Sequence, residues 1–138
     1  MILYAAVPDE GASPACQRIV DSVLGGRLSG ETSTAVLEEV LHVELRSTRV
    51  DFKGVAGLAY AMFTPLLSVT DETMKLALEL DVPALGANDR VHAATCRLNG
   101  IGTIVSADRG FDSVPELYRV DPLDTEAVDM LLARASDV

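Results

Sequence analysis

Short apolar runs alternate with longer stretches of helical periodicity along the 138-residue chain. The runs with the character of strands lie at residues 1–6, 66–69, 103–106 and 118–120. Helical patterns begin near residues 13, 32, 52, 71, 87 and 124, so helices separate most of the strands. This order predicts an α/β fold with a mostly parallel sheet. No repeat or linker interrupts it, so we expect residues 1–138 to form a single domain.

Capping and helix-ending residues set the predicted boundaries of these helices. The segment Phe52–Phe63 is predicted to be one helix, which Pro65 ends because the residue before a proline disfavours the helical conformation. A helix is predicted at Asp71–Leu80 with Asp71 as its N-cap. Another is predicted at Ala87–Asn99, and a glycine follows its last residue.

Composition places the chain among packed globular domains, since 49% of its residues are hydrophobic and 23% are charged. No apolar run is long enough to cross a membrane, so we expect no membrane association. The N-terminus has no basic region, which argues against a signal peptide. Two cysteines, Cys16 and Cys96, do not make a disulfide framework and favour a reducing, cytoplasmic location.

The formal net charge of −10 excludes binding to nucleic acid by bulk electrostatic attraction, because phosphates would be repelled. Any role on nucleic acid would need a local basic patch, bound cations, or both. The positions of individual carboxylates therefore become the most informative feature of the sequence.

Glu39 is the first carboxylate in an unusual position. On a helix it shares a face with Val36 and Val43, which lie three residues before it and four after it. A carboxylate on a face that packs against the core must be neutralised or bound. The alternative is that Glu39 lies at the edge of this apolar stripe and extends its carboxylate into water.

Three further acids lie at the ends of predicted elements. Asp89 is in the first turn of a predicted helix, where a negative charge is favourable for the helix dipole alone. Asp108 follows the predicted strand at 103–106, and Asp112 comes four residues later. Ligand sites in open α/β sheets collect beyond the carboxyl ends of the strands. Taken separately, Asp108 and Asp112 are also compatible with ordinary turn positions.

Together, these four carboxylates predict one shared pocket. Like charges held close together repel, and a hard divalent cation relieves the repulsion. Oxygen ligands suit Mg²⁺ or Mn²⁺. A zinc site is not indicated, because His42 and His92 lie far apart in the sequence and the cysteines lack a metal-binding spacing. His92 is expected to be structural, as a lone helix histidine usually is.

The stretch Gly86–Pro122 resembles the C-terminal half of PIN domains. The family motifs there are an Asp opening a helix with an Ala-Ala-Thr run, a Thr/Ser-x-Asp at a strand end, a Phe-Asp pair and a closing Asp-Pro. This chain carries them as Asp89 with Ala93-Ala94-Thr95, Ser106-Ala107-Asp108, Phe111-Asp112 and Asp121-Pro122. The segment Ser33–Leu45 resembles the family's second motif, whose glutamate matches Glu39. The chain looks most like VapC toxins, which are intracellular endoribonucleases neutralised by a VapB antitoxin.

This resemblance implies a three-layer α/β/α fold with a carboxylate pocket that binds Mg²⁺ or Mn²⁺ through Glu39, Asp89, Asp108 and Asp112. A metal-activated water would attack the RNA phosphodiester. Ser106 would hydrogen-bond within the pocket or to a phosphate. The expected partners are RNA, a VapB-like antitoxin and a second copy of the chain.

Arg90 and Arg109 each follow a predicted metal ligand, so both are candidates for phosphate contacts. The alternative is that they are ordinary surface arginines. The helix predicted at Phe52–Phe63 carries more apolar surface than a lone helix usually exposes, and we expect part of it in the homodimer interface. The plain alternative for this helix is burial against the core.

The chain departs from the family at its start. PIN domains open with a strand ending in Asp-x-Asn, followed by residues similar to Ile2–Ala5, and Met1 falls where a Val is common. No acid precedes Asp9, so the first catalytic aspartate and most of a central strand would lie upstream. We hypothesise that the start is an internal GTG codon, which encodes Val within a gene and Met at a start.

Two other functions stay open on the sequence alone. One is a non-catalytic PIN-fold module that keeps RNA or partner binding but cuts poorly because its metal site lacks a carboxylate. The other is a receiver-like phosphoacceptor domain, which also pairs acids with Mg²⁺. Receivers use a lysine after a late strand, whereas the lysines here are Lys53 and Lys75, so this function is the least favoured.

Overall fold

The computed structural model describes residues 13–136, and this part of the chain contains six α-helices, one 3₁₀-helix and two strands. In chain order the helices are α1 (Ser13–Leu24), α2 (Thr34–Arg46), α3 (Val55–Phe63), α4 (Asp71–Glu79), α5 (Ala87–Leu98) and α6 (Thr125–Ser136). Between α5 and α6 lie strand β1 (Thr103–Val105), the 3₁₀-helix (Arg109–Ser113) and strand β2 (Tyr118–Val120). The strand predicted at residues 1–6 lies outside the described residues.

The two strands pair in parallel, which agrees with the predicted α/β class. Ile104 stands opposite Arg119 in this register. The strand predicted at 66–69 is reduced to an isolated parallel bridge between Ser33 and Leu67. A longer ladder is prevented because α2 begins at Thr34, directly after the bridging serine.

Two of the predicted helix starts are corrected by the structure. Helix α3 begins at Val55 rather than Phe52, because Gly54 adopts a left-handed conformation, with φ of 86°, immediately before it. The N-cap of α4 is Thr70 rather than Asp71. Thr70 and Thr73 exchange side-chain and backbone hydrogen bonds in a capping box, which leaves Asp71 inside the first turn.

Two buried clusters hold the elements together. The larger joins α4, α5, the loop between them and the 3₁₀-helix, and its members are Ala77, Leu80, Val82, Leu85, Ala93, Ala94, Phe111 and Val114. The smaller joins α1, β2 and α6 through Ile19, Val120 and Val128. Phe111 follows Asp108 by three residues, and Ala93 follows Asp89 by four. The larger cluster therefore fixes the loop after β1 against the start of α5.

The apolar helix α3 divides its side chains between the core and the surface. Ala59 and Phe63 are buried, as the plain alternative for this helix expected. Leu58 is 73% exposed and Tyr60 is 53% exposed, so two large apolar side chains of this helix face solvent. None of the helices within residues 13–136 has the length and apolar character needed to cross a membrane.

A carboxylate from α2 caps the N-terminus of α3. Glu44 accepts hydrogen bonds from the backbone N–H groups of Gly54 at 3.0 Å and Ala56 at 2.8 Å. These are N–H groups that have no partner within their own helix. The two hydrogen bonds hold the pKa of Glu44 below its usual value, and the bond from Ala56 has the larger effect.

We expect Glu44→Gln to lower the melting temperature at neutral pH and to have little effect in acid. The folded pKa of Glu44 is depressed, so its stabilising contribution is present above the unfolded pKa and is lost as the pH falls through the folded value. Thermal unfolding of both proteins across this range measures the difference. Glu38→Gln, at an exposed position of the same helix, is the matched control. An equal loss at neutral and acid pH would contradict the ionic capping.

Candidate active site

A cleft of about 680 Å³ opens between α1, α2, α5 and β1. Most of its wall is apolar, with Val36, Val40, Phe63 and Ile104 among the lining residues. Polar residues from several elements also line it, and some of the predicted site residues are among them. Glu39 projects from the middle of α2, Asp89 and His92 come from the first two turns of α5, and Ser106 directly follows β1.

Glu39 is held by a histidine from the facing helix. His92 Nε2 lies 3.1 Å from Glu39 Oε1, and because a carboxylate only accepts hydrogen bonds, Nε2 carries the hydrogen. The Glu39 side chain is 40% exposed, whereas that of His92 is 10% exposed. His92 Nδ1 is buried and has no hydrogen-bond partner among the described residues. The histidine thus fixes one oxygen of Glu39 at the cleft.

Asp89 is the predicted acid whose pKa is raised. Burial raises its pKa, and the neighbouring charge of Asp108 raises it further. A hydrogen bond between the two carboxyl groups and the charge of Glu39 act in the same direction, while His92 opposes them. Burial contributes more to the raised pKa of Asp89 than like-charge repulsion does. Glu39 and Asp108 are thus both close enough to Asp89 for their charges to act on its carboxyl group.

Asp108 is exposed and caps the 3₁₀-helix, close enough to Asp89 for its charge to act on that carboxyl group. Its Oδ1 accepts a hydrogen bond of 2.7 Å from Gly110 N, and its own N–H donates to Ser106 Oγ at 3.1 Å. A Cβ at Gly110 would approach the carbonyl oxygen of Ala84 to 2.8 Å, so this turn admits only glycine without rearrangement. Local hydrogen bonds and close packing therefore set the position of Asp108.

Asp112 faces an arginine rather than the other predicted acids. Its Oδ1 accepts from Arg119 Nε at 2.7 Å and its Oδ2 from Arg119 Nη2 at 3.2 Å. This pairing lowers the pKa of Asp112. The structure thus places Asp112 in a two-point ion pair, and Asp112 is not among the residues that line the cleft.

Comparison of the sequence with known proteins assigns the chain to a family. The sequence model described as PIN domain matches residues 2–117. The chain belongs to the PIN domain family. No solved structure gives a significant match to this PIN domain.

Three curated relatives of this PIN domain are named as VapC ribonucleases. Ribonuclease VapC7 of Mycobacterium tuberculosis is 26% identical over 138 aligned residues, which cover 95% of this chain and 93% of that protein. Ribonuclease VapC13 of the same organism is 30% identical over 109 residues, covering 75% of this chain and 82% of that protein. A VapC ribonuclease of Mycobacterium bovis, Mb1869c, matches with the same identity and coverage. The resemblance to the VapC type noted in the motifs is thereby confirmed.

The two arginines predicted to contact phosphate have different surroundings in this PIN domain. The guanidinium of Arg90 donates to the carbonyl oxygens of Leu80, Val82 and Leu85, which ties α5 to the preceding loop. These hydrogen bonds give Arg90 a structural role. They correct the expectation that its guanidinium would face a substrate phosphate. Arg109 is exposed, and its charge helps to lower the pKa of Asp112.

The donor set at the cleft has the chemistry of a hard-cation site. Glu39, Asp89 and Asp108 offer carboxylate oxygens, which Mg²⁺ and Mn²⁺ prefer. Within residues 13–136, no three His, Cys, Asp or Glu side chains lie close enough together to hold a metal ion directly. Mg²⁺ commonly keeps several water ligands and needs only one or two carboxylates, so the donor chemistry fits a partly hydrated ion.

Sequence reasoning missed two polar residues of the site. His92 lies one helical turn from Asp89, and this spacing was the available signal, but its partner Glu39 is 53 residues away. No sequence pattern pointed to Arg119, because its contacts depend on the parallel register of β1 and β2. Both residues pair with predicted acids, which is how the net negative charge is balanced locally.

Proposed function

We propose that this chain is an endoribonuclease of the VapC type that hydrolyses RNA phosphodiester bonds with the help of Mg²⁺ or Mn²⁺. The observation that carries the proposal is that Glu39 and Asp89, from two different helices, line one cleft, and that Asp108 is close enough for its charge to raise the pKa of Asp89. Family membership and the ribonuclease names of the relatives support the same chemistry.

Each cleft residue has a role in this proposal. Glu39, Asp89 and Asp108 would hold the cation, which when bound activates a water molecule and stabilises charge on the phosphorus. His92 keeps Glu39 oriented by donating to Oε1. Ser106, which lines the cleft, and the exposed Arg109 would contact phosphate oxygens. Asp112 stays paired with Arg119.

A non-catalytic PIN module is the second candidate function. It is favoured by the separation of the acids, since no three of them within residues 13–136 form a direct metal cage. Such a module would still bind RNA or a partner through the same cleft. The two candidates differ in cleavage, not in binding.

The partners in this proposal are RNA, a VapB-like antitoxin and a second copy of the chain. The exposed apolar surface of α3, centred on Leu58 and Tyr60, is suited to a protein interface. Both cysteines are free, in keeping with the predicted reducing cytoplasm.

We expect the wild-type chain to cleave single-stranded RNA when Mn²⁺ is added, and Asp89→Asn to reduce the rate by about 100-fold or more. The expected loss reflects weakened metal stabilisation of the transition state, which is worth several kcal/mol. Asp71→Asn, at an exposed acid in the first turn of α4, makes the same charge change outside the cleft and should cleave normally. Wild-type protein that binds RNA without Mn²⁺-dependent cleavage would instead establish the non-catalytic module.

Arg109→Gln should reduce the salt dependence of RNA binding. A lost phosphate contact lowers the slope of log affinity against log salt by about 0.7 for a single strand. Fluorescence anisotropy over a series of salt concentrations measures this slope. Arg134→Gln on α6, at an exposed arginine that does not line the cleft, should leave the slope nearly unchanged. Equal slopes for wild type and Arg109→Gln would remove Arg109 from the RNA site.

We expect the chain to be a homodimer in solution and Leu58→Asp to shift it to the monomer. Burying a new carboxylate in an apolar interface without a partner is unfavourable. Light scattering coupled to gel filtration measures the mass of both proteins. Leu78→Asp, at an exposed leucine of α4, is the control for a general effect of surface charge. A wild-type monomer at high concentration would contradict the dimer.

A further inference from the structure

The side chain of Arg119 connects three parts of the chain around the cleft. It is 10% exposed and makes four hydrogen bonds. Nη1 donates to the carbonyl oxygen of Ser106 and to Asp121 Oδ2, both at 2.9 Å. Nε and Nη2 donate to the two oxygens of Asp112. A single, mostly buried guanidinium thus binds the residue after β1, the 3₁₀-helix and the residue after β2.

These contacts enclose the segment that carries Asp108. Ser106 lies two residues before Asp108 and Asp112 lies four residues after it, so Arg119 holds the segment on both sides. Within the segment, Asp108 N donates to Ser106 Oγ, and Gly110 N donates to Asp108 Oδ1. Any movement of Ser106 or Asp112 would be transmitted to the Asp108 carboxylate through these short hydrogen bonds.

We propose that Arg119 is a positioning residue for the Asp108 carboxylate and that Asp112 anchors Arg119 instead of binding the metal. The proposal rests on the proposed function, because it assigns roles within that metal site. Both Asp112 oxygens already accept hydrogen bonds from the guanidinium, and the ion pair turns them toward β2. A planar guanidinium provides this two-point geometry, whereas a lysine ammonium provides a single charged point.

The test measures Mn²⁺ affinity by isothermal titration calorimetry for wild type, Arg119→Lys, Asp112→Asn and the double variant. We expect each single variant to weaken binding by about 10-fold or more, as is typical for residues that orient metal ligands. The double variant should bind as weakly as the weaker single variant, because both changes remove the same connection. If Asp112 were itself a ligand, the two losses would multiply, and that result would overturn the proposal.

Asp121→Asn provides a second variant that touches no candidate metal ligand. It removes another partner of Arg119, so it should also weaken Mn²⁺ binding. Unchanged affinity in Asp121→Asn together with a loss in Asp112→Asn would count against positioning by Arg119. The matched control combines Arg18→Lys with Asp129→Asn. These two residues form an ion pair in which both side chains are about half exposed, and their substitution should leave the Mn²⁺ affinity unchanged.

Hydrogen exchange of the Gly110 amide tests the positioning without a metal. This N–H donates to Asp108 Oδ1, so Arg119→Lys should accelerate its exchange while amides in α6 keep their rates. Unchanged exchange at Gly110 would overturn the proposal even if Mn²⁺ binds. Absence of Mn²⁺ binding to wild type, with accelerated exchange in the variant, would contradict the proposed function alone.

Discussion

Burial of Phe111 in the same cluster as Ala93 and Ala94 is the constraint on which the site depends. The phenylalanine belongs to the 3₁₀-helix that Asp108 caps, and the two alanines belong to the helix that carries Asp89 and His92. Their small side chains are nearly inaccessible to solvent and leave room for an aromatic ring against the helix. Apolar packing thus brings together two acidic segments that would otherwise repel each other.

The predictable part of this structure is the part governed by local signals. The α/β order, the helix Ala87–Leu98 and the strand after it follow from periodicity and from glycine and serine positions. The cap of α4 was assigned to the wrong neighbour, because Thr70 and Asp71 are both suitable N-cap residues and only the reciprocal bond with Thr73 decides between them.

Long-range contacts account for what the sequence could not predict about the site. Family motifs led to Glu39, Asp89 and Asp108, but not to the pairing of His92 with Glu39 or of Arg119 with Asp112. Arg90 looked like a phosphate ligand because it follows Asp89, yet its guanidinium reaches backward to three carbonyl oxygens. These hydrogen bonds depend on the path of the preceding loop. The residues next to Arg90 in the sequence carry no pattern that predicts this path.

The crowded cleft also affects the stability of the whole domain. Asp89 has a folded pKa above its unfolded value, so its ionisation as the pH rises through this range lowers the free energy of unfolding. The buried Nδ1 of His92, unpaired among the described residues, adds a further desolvation cost. The core clusters compensate for both effects. Any molecule or ion that binds this cleft only in the folded state would therefore act as a folding ligand, raising the resistance to unfolding by mass action.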